Sequence, residues 1–262
     1  MGHIRLGSLP KTRPWKEVVE LIHFGAGVEQ IANAVLRAAE KNLQFAGRDP
    51  GVIESVWLLM HIPFAARSED FAAALRELGL AVDDSPGLFD LIAATSEQID
   101  RVVSEKRGRS DLGEIAQMAL AETFSEFVGR RVEYLFGTTP DDVQRHFATL
   151  ATVKQFGLFA KDFFARVTEK TLNYFLSKTT PDQLGEGHRF ASLADQSEFF
   201  DALHAHCRET AKIVEAYSGE FLSKTRFEMG GAIDRETASN FASYAFKKLI
   251  DALTREGELA HV

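Results

Sequence analysis

The chain predicts an all-α fold, on three observations. Apolar residues recur at helical spacing through nearly all of its 262 residues. Proline, glycine and capping side chains fall at the ends of those runs. No stretch alternates apolar and polar residues as a strand does, and no two-residue turn joins two apolar runs. The expectation is a bundle of about eight helices with one long central helix.

Pro14 suits the first turn of a helix over 14–24, because a proline there forfeits no bond that the helix makes. Gly25 and Gly27 end it. In 28–45, Ile31, Val35, Ala38 and Leu43 recur at helical spacing while Glu29, Arg37 and Lys41 fall elsewhere, so the outer face is wet. Segment 52–62 is apolar nearly all round (Val56, Trp57, Leu58, Leu59, Met60) and stops at Pro63, which predicts a central helix. Ser68 is placed to cap 69–78, with acids in the first turn and Gly79 as the stop. Ser85 and Pro86 open a helix ending near Lys106. Asp111 with Glu114 predicts a capping box for 111–136, with Gly137 behind it.

Thr139, Pro140 and Asp142 then supply a cap oxygen, a first-turn proline and a first-turn acid. From there the helical pattern runs over 140–179, roughly 55 to 60 Å at about 1.5 Å per residue if unbroken. Phe156, Phe159, Phe163 and Val167 share one stripe, which Phe147, Leu150, Leu158, Phe164 and Leu172 widen, so other helices surround it. Gly157 is the expected kink. Two helices follow. One, over 194–218, buries Phe199, Phe200, Leu203, Ile213, Val214 and Tyr217; the other, over 234–255, carries Ala242, Phe246, Leu249 and Leu253 as its apolar line. The loop 108–110 is the expected boundary between two helical subdomains, 15–107 and 110–262, preceded by an arm, 1–14. Phe175-Leu176-Ser177-Lys178-Thr179 recurs as 221–225, and Thr138-Thr139-Pro140-Asp141 as 179–182. The echo fits either two tandem helical units or reuse of the same end chemistry.

A composition of 45% hydrophobic and 26% charged residues is that of an ordinary soluble globular chain. Apolar runs such as 56–60, ended by His61, fall far short of the roughly 20 residues of a bilayer crossing. The lone Cys207 forms no internal disulfide, and the first nine residues lack the apolar core of a secretory signal; both point to the cytoplasm. A net charge of −8 argues against a general nucleic-acid coat. The charge is uneven, because Arg5, Lys11, Arg13 and Lys16 all precede the first acid, Glu17, and a second basic patch holds Arg101, Lys106, Arg107 and Arg109. Ile4, Leu6, Leu9 and Trp15 make the arm too apolar for a purely solvated tail. Ile4, Arg5, Leu6, Leu9, Lys11, Arg13 and Trp15 are therefore the candidate partner-binding residues.

No spacing in the chain is specific for one chemistry, and no cofactor is expected. Glu20 with His23 and Asp201 with His204 each set an acid and a histidine three apart on a helix, as metal-binding bundles do. All four lie off the apolar stripes, so the competing reading is solvated faces paired to Lys16 and Arg208. His204 and His206 are two apart and point about 200° from each other on a helix, so they cannot share an ion. Cys207 reads as a small buried hydrophobe beside Leu203 and Thr210. Arg131 falls in line with Phe124, Val128 and Leu135, with Gly129 beside it. A charge in an apolar stripe needs a carboxylate or carbonyls around it, so Arg131 marks an internal ion pair or an anion site.

Arg255 and His261 resemble the spaced arginine and histidine of the HEPN ribonucleases, an all-helical prokaryotic family. The likeness covers these two residues; Gly257 falls between them as a helix breaker, and Glu256 stands where that family has a polar amide. The functional expectation is a non-catalytic interaction subunit that binds a protein partner or itself. The alternative is a helical-bundle enzyme, either metal-dependent or a hydrolase of ribonuclease type.

Overall fold

The computed structural model describes residues 13–44, 46–129, 139–228 and 233–259, and of 40–44, 226–228 and 255–259 the backbone alone. Eleven α-helices occur among them: α1 (Arg13–His23), α2 (Val28–Gln44), α3 (Pro50–Ala65), α4 (Phe71–Glu77), α5 (Leu88–Glu105), α6 (Asp111–Phe124), α7 (Pro140–Leu150), α8 (Val153–Leu176), α9 (Leu193–Thr210), α10 (Lys212–Glu228) and α11 (Arg235–Leu259). Short 3-10 turns span Ala46–Arg48 and Thr180–Gln183, and a π turn, Ser125–Gly129, continues α6. The described residues contain no strand, only an isolated bridge between Leu184 and Phe190. None of their helices is long and apolar enough to cross a membrane.

Two of the expected helices are each divided. The 140–179 pattern breaks at Ala151 and Thr152, where Thr152 turns extended and its hydroxyl accepts from the Gln155 amide at 3.4 Å. That threonine caps α8, which remains the long central helix. The 194–218 pattern breaks at Ala211, between α9 and α10. α3 runs through Pro63 to Ala65 rather than stopping before it. α4 is capped by Asp70 rather than Ser68, and α6 by Ser110 rather than Asp111. Thr139 caps α7 as expected, and the Asp142 carboxylate in turn accepts from the Thr139 amide at 3.1 Å. The two five-residue echoes are not equivalent: the first ends α8, whereas the second lies inside α10.

Phe156, Phe159, Phe163, Phe164 and Phe175 of α8 are fully buried. α8 is enclosed by α6, α7, α9 and α10, and Phe164 meets Phe241 and Phe246 of α11 edge-on, at 5.8 and 5.2 Å between ring centres. α3 is the second buried axis, packed by α5, α6, α7 and α11. α11 crosses both α2 and α3, so helices on either side of 108–110 share one hydrophobic cluster. Trp15 belongs to that cluster. It is 3% exposed with its ring 4.6 Å from Phe175, so this residue is core and not part of a binding arm.

α8 is continuous through Gly157, where it meets α10 closely. A Cβ on Gly157 would stand 2.7 Å from the Glu215 carbonyl oxygen of α10, and one on Gly219 of α10 would stand 2.6 Å from the Val153 carbonyl oxygen. The two helices therefore touch backbone to backbone, each through its own glycine. α3 and α6 cross the same way, with a Cβ on Gly51 falling 2.7 Å from the Gly113 Cα. There Asp49 accepts from the Gly51 and Val52 amides at 2.9 and 3.1 Å and also from the Ser110 hydroxyl, so one carboxylate ties two helix starts together. Gly157→Ala is expected to lower stability by about 1–3 kcal/mol in urea unfolding, since a backbone carbonyl must move. Alanine's better helix propensity, worth about 1 kcal/mol, opposes this. Unchanged stability would show that the crossing has slack.

Candidate functional site

Asp162, Arg166, Glu169 and Lys170 follow one another at helical spacing along α8 and form a polar seam between α6 and α9. Asp162 is only 3% exposed. Its Oδ2 accepts from the Arg166 Nε at 2.6 Å and from the Thr123 hydroxyl at 3.1 Å. Its Oδ1 has Arg208 Nη1 of α9 at 3.3 Å, an ion-pair contact without hydrogen-bond geometry, and no hydrogen-bond donor among the described residues. Arg166 also holds Glu122 at 3.1 Å and Glu126 at 3.6 Å. Burial pulls the guanidinium's pKa down, but hydrogen bonds and charges from Asp162 and Glu122 outweigh it and leave the pKa raised. Lys170 binds Glu122 at 2.6 Å, and Lys161 binds Glu215 of α10 at 2.8 Å.

The π turn carries Glu126 and Phe127 over α8, with Phe127 edge-on to Phe159 at 5.3 Å. Beneath it lies a cavity of about 220 Å³ lined by Phe127, Leu158, Lys161, Asp162, Ala165 and Arg208. Three apolar and three charged side chains make up the lining.

A second polar cluster joins α3, α5 and α11. Glu54 is fully buried and takes a two-pronged bond from Arg235, Nε to Oε2 at 2.6 Å and Nη2 to Oε1 at 2.8 Å. Gln98 Nε2 adds a third bond at 3.1 Å. The Arg235 guanidinium lies 4.0 Å from the Trp57 ring centre, and the indole donates to the Ile233 carbonyl at 3.0 Å. The His61 ring packs 4.3 Å from the same indole. Burial pushes the His61 pKa down, and the Arg235 charge pushes the same way.

On the surface, Phe24 and Leu193 are 81% and 69% exposed. Arg189 lies against the turn that follows Phe24. A Cβ on Gly25, the residue after Phe24, would be 3.8 Å from its Nη1, and Leu193 opens α9 four residues beyond it. Its guanidinium is 5.1 and 5.4 Å from the ring centres of Phe199 and Phe190. Nε and Nη1 are buried without a hydrogen-bond acceptor among the described residues, and burial holds the pKa below its ordinary value. The loop carrying Arg189 is fixed by Gly185 donating to the Phe190 carbonyl at 2.8 Å and Phe190 to that of Gln183 at 3.0 Å.

Among the described residues, no three of His, Cys, Asp and Glu are grouped as metal ligands would be. Glu20, His23 and Asp201 are exposed and do not converge with His204. His204 meets Glu169 of α8 at 2.6 Å, and Arg208 reaches Asp162 rather than Asp201. Cys207 is buried, which pushes its thiol far up in pKa. The second basic patch is engaged locally: Arg101 donates to the Gly79 carbonyl at 2.6 Å, and Arg109 pairs with Glu114 at 3.2 Å. Ile4, Arg5, Leu6, Leu9, Lys11, Arg131 and His261 lie outside the described residues; Arg13 is exposed at the start of α1. α11 continues through Gly257 to Leu259, so that glycine does not break it.

Asp162, Arg166 and Arg189 were missed. For the first two a signal existed, since a carboxylate and a cation four apart on one helix face mark a polar seam. For Arg189 none did, because it sits in a loop. No known protein family, curated protein or solved structure matches the chain.

Arg235→Met is expected to cost roughly 3–5 kcal/mol in urea unfolding, because Glu54 stays buried without its partner. The double change Glu54→Met with Arg235→Met should recover most of that loss; a single-variant cost near zero would show that the pair is not what satisfies Glu54. The lowered His61 pKa sets the sign of a pH effect. The unfolded imidazole takes up a proton near pH 6.5 and the folded one only at lower pH, so this contribution is complete above about pH 6.5 and shrinks on acidification below it. His61→Gln should therefore reduce the drop in melting temperature between pH 7.5 and pH 5.5. An unchanged drop would show that His61 does not titrate in this window.

Proposed function

We propose that the protein is a non-catalytic interaction subunit that binds a protein partner, or a second copy of itself, through the face formed by the α1–α2 turn and the start of α9. The observation that carries this reading is the exposure of Phe24 and Leu193, with Arg189 against the Phe24 turn. A large apolar side chain held out on a tight turn gains little from the fold and much from a partner that removes it from water. Arginine and aromatic residues dominate the energetics of protein interfaces. The basic and apolar arm, with Ile4, Arg5, Leu6, Leu9, Lys11 and Arg13, is proposed as a further contact. Residence in the cytoplasm belongs to the same proposal, since the single cysteine forms no internal disulfide.

The test compares the full chain with its Phe24→Ser, Leu193→Ser double variant by sedimentation velocity and by quantitative affinity capture. Both side chains are exposed, so the melting temperature should move by no more than about 2 °C. Self-association or capture should fall at least tenfold. Equal behaviour of the two proteins in both measurements would refute this face as the interface.

A further inference from the structure

We propose that the cavity between α6, α8 and α9 binds a free aliphatic α-amino acid. Asp162 Oδ1 receives the ammonium group and Arg208 the carboxylate. Phe127, Leu158 and Ala165 surround the side chain.

Three properties of the cavity select this class. The first is the unfilled acceptor, because Asp162 is 3% exposed and its Oδ1 has no hydrogen-bond donor among the described residues. A carboxylate oxygen so enclosed gains from a charged donor. The second is the presence of both signs of charge. Of the residues lining the cavity, Lys161 and Arg208 are cationic and Asp162 is anionic, so donors for a carboxylate and an acceptor for an ammonium face the same space. A simple anion meets Asp162 and a simple cation meets Arg208 and Lys161, whereas a zwitterion meets an opposite charge at each end.

The third is spacing. Asp162 Oδ1 and Arg208 Nη1 are 3.3 Å apart. In an α-amino acid the nitrogen and the nearer carboxylate oxygen are roughly 2.7 Å apart by standard bond lengths, so the two ion pairs close a four-cornered ring. The two ends of a peptide do not share a carbon and cannot make that ring. Arg208 is 43% exposed and stands beside Oδ1, so its side chain is free to adjust and grip the ligand's carboxylate. The cavity, about 220 Å³, has room for a small ligand such as valine or leucine.

The experiment is calorimetric titration of the full-length protein with L-valine and L-leucine. It is repeated with 3-methylbutanoate and 4-methylpentanoate, which lack the amine, and with isobutylamine and 3-methylbutylamine, which lack the carboxylate. Saturable one-to-one binding at least tenfold tighter for the amino acids than for either truncated series is expected, with loss of at least tenfold in Arg208→Gln. Equal binding of the acids alone would overturn the proposal in favour of an anion site. Absence of heat and of thermal shift for the amino acids, or affinity unchanged in Arg208→Gln, would overturn it outright. The truncated ligands test the wild-type chain, so the outcome does not depend on whether an Asp162 variant folds.

Discussion

The contact on which the rest of the structure depends is the crossing of α8 and α10 at Gly157 and Gly219. Helices normally pack 8–10 Å apart because side chains separate them. Here each helix presents a glycine to a carbonyl of the other, so the backbones themselves touch. One residue illustrates what that fixes. The Glu215 carbonyl rests on Gly157 while its carboxylate binds Lys161, one turn further along α8. The crossing thus sets the height of Lys161 on the cavity wall, and with it the register of Asp162 and Ala165 beside it. Gly51 and Gly113 perform the same role for α3 and α6, and α6 in turn carries Thr123 to Asp162.

Around these crossings the polar side chains act as register keys. Glu54 and Asp162 are each buried and each bound by more than one group from another element. Such groups contribute little net stability when fully paired and cost several kcal/mol when one partner is removed. A helix that slid by one turn would leave Glu54 facing apolar side chains, so the pair penalises wrong packing more than it rewards the right one. Burial of the phenylalanines of α8 is less selective, since its gain follows the apolar area removed from water.

How much of this was legible in the sequence follows from the range of each interaction. Apolar periodicity is local and strong, so the all-helical class, the central α8 and the buried α3 could be read directly. The break at Thr152 was hidden because one capping threonine weighs little against a long apolar pattern. Gly157 was visible as an exception but its cause was not, since kinking and close approach put the same residue at the same place. Trp15 was misjudged because basic neighbours made an apolar residue look like part of an arm, while its partner, Phe175, lies far along the chain. The site residues were hardest. His204 paired with Glu169, and Arg189 pressed against the Gly25 turn, are meetings of distant segments that no local spacing announces.

Trp57 has a consequence for how the molecule can be observed. The chain has two tryptophans, and this one touches both a permanent cation, Arg235, and an imidazole that changes charge with acidity. An imidazolium quenches an excited indole where a neutral ring does not. The light emitted by Trp57 is therefore a gauge, built into the junction of α3 and α11, of whether that junction is closed and in which protonation state.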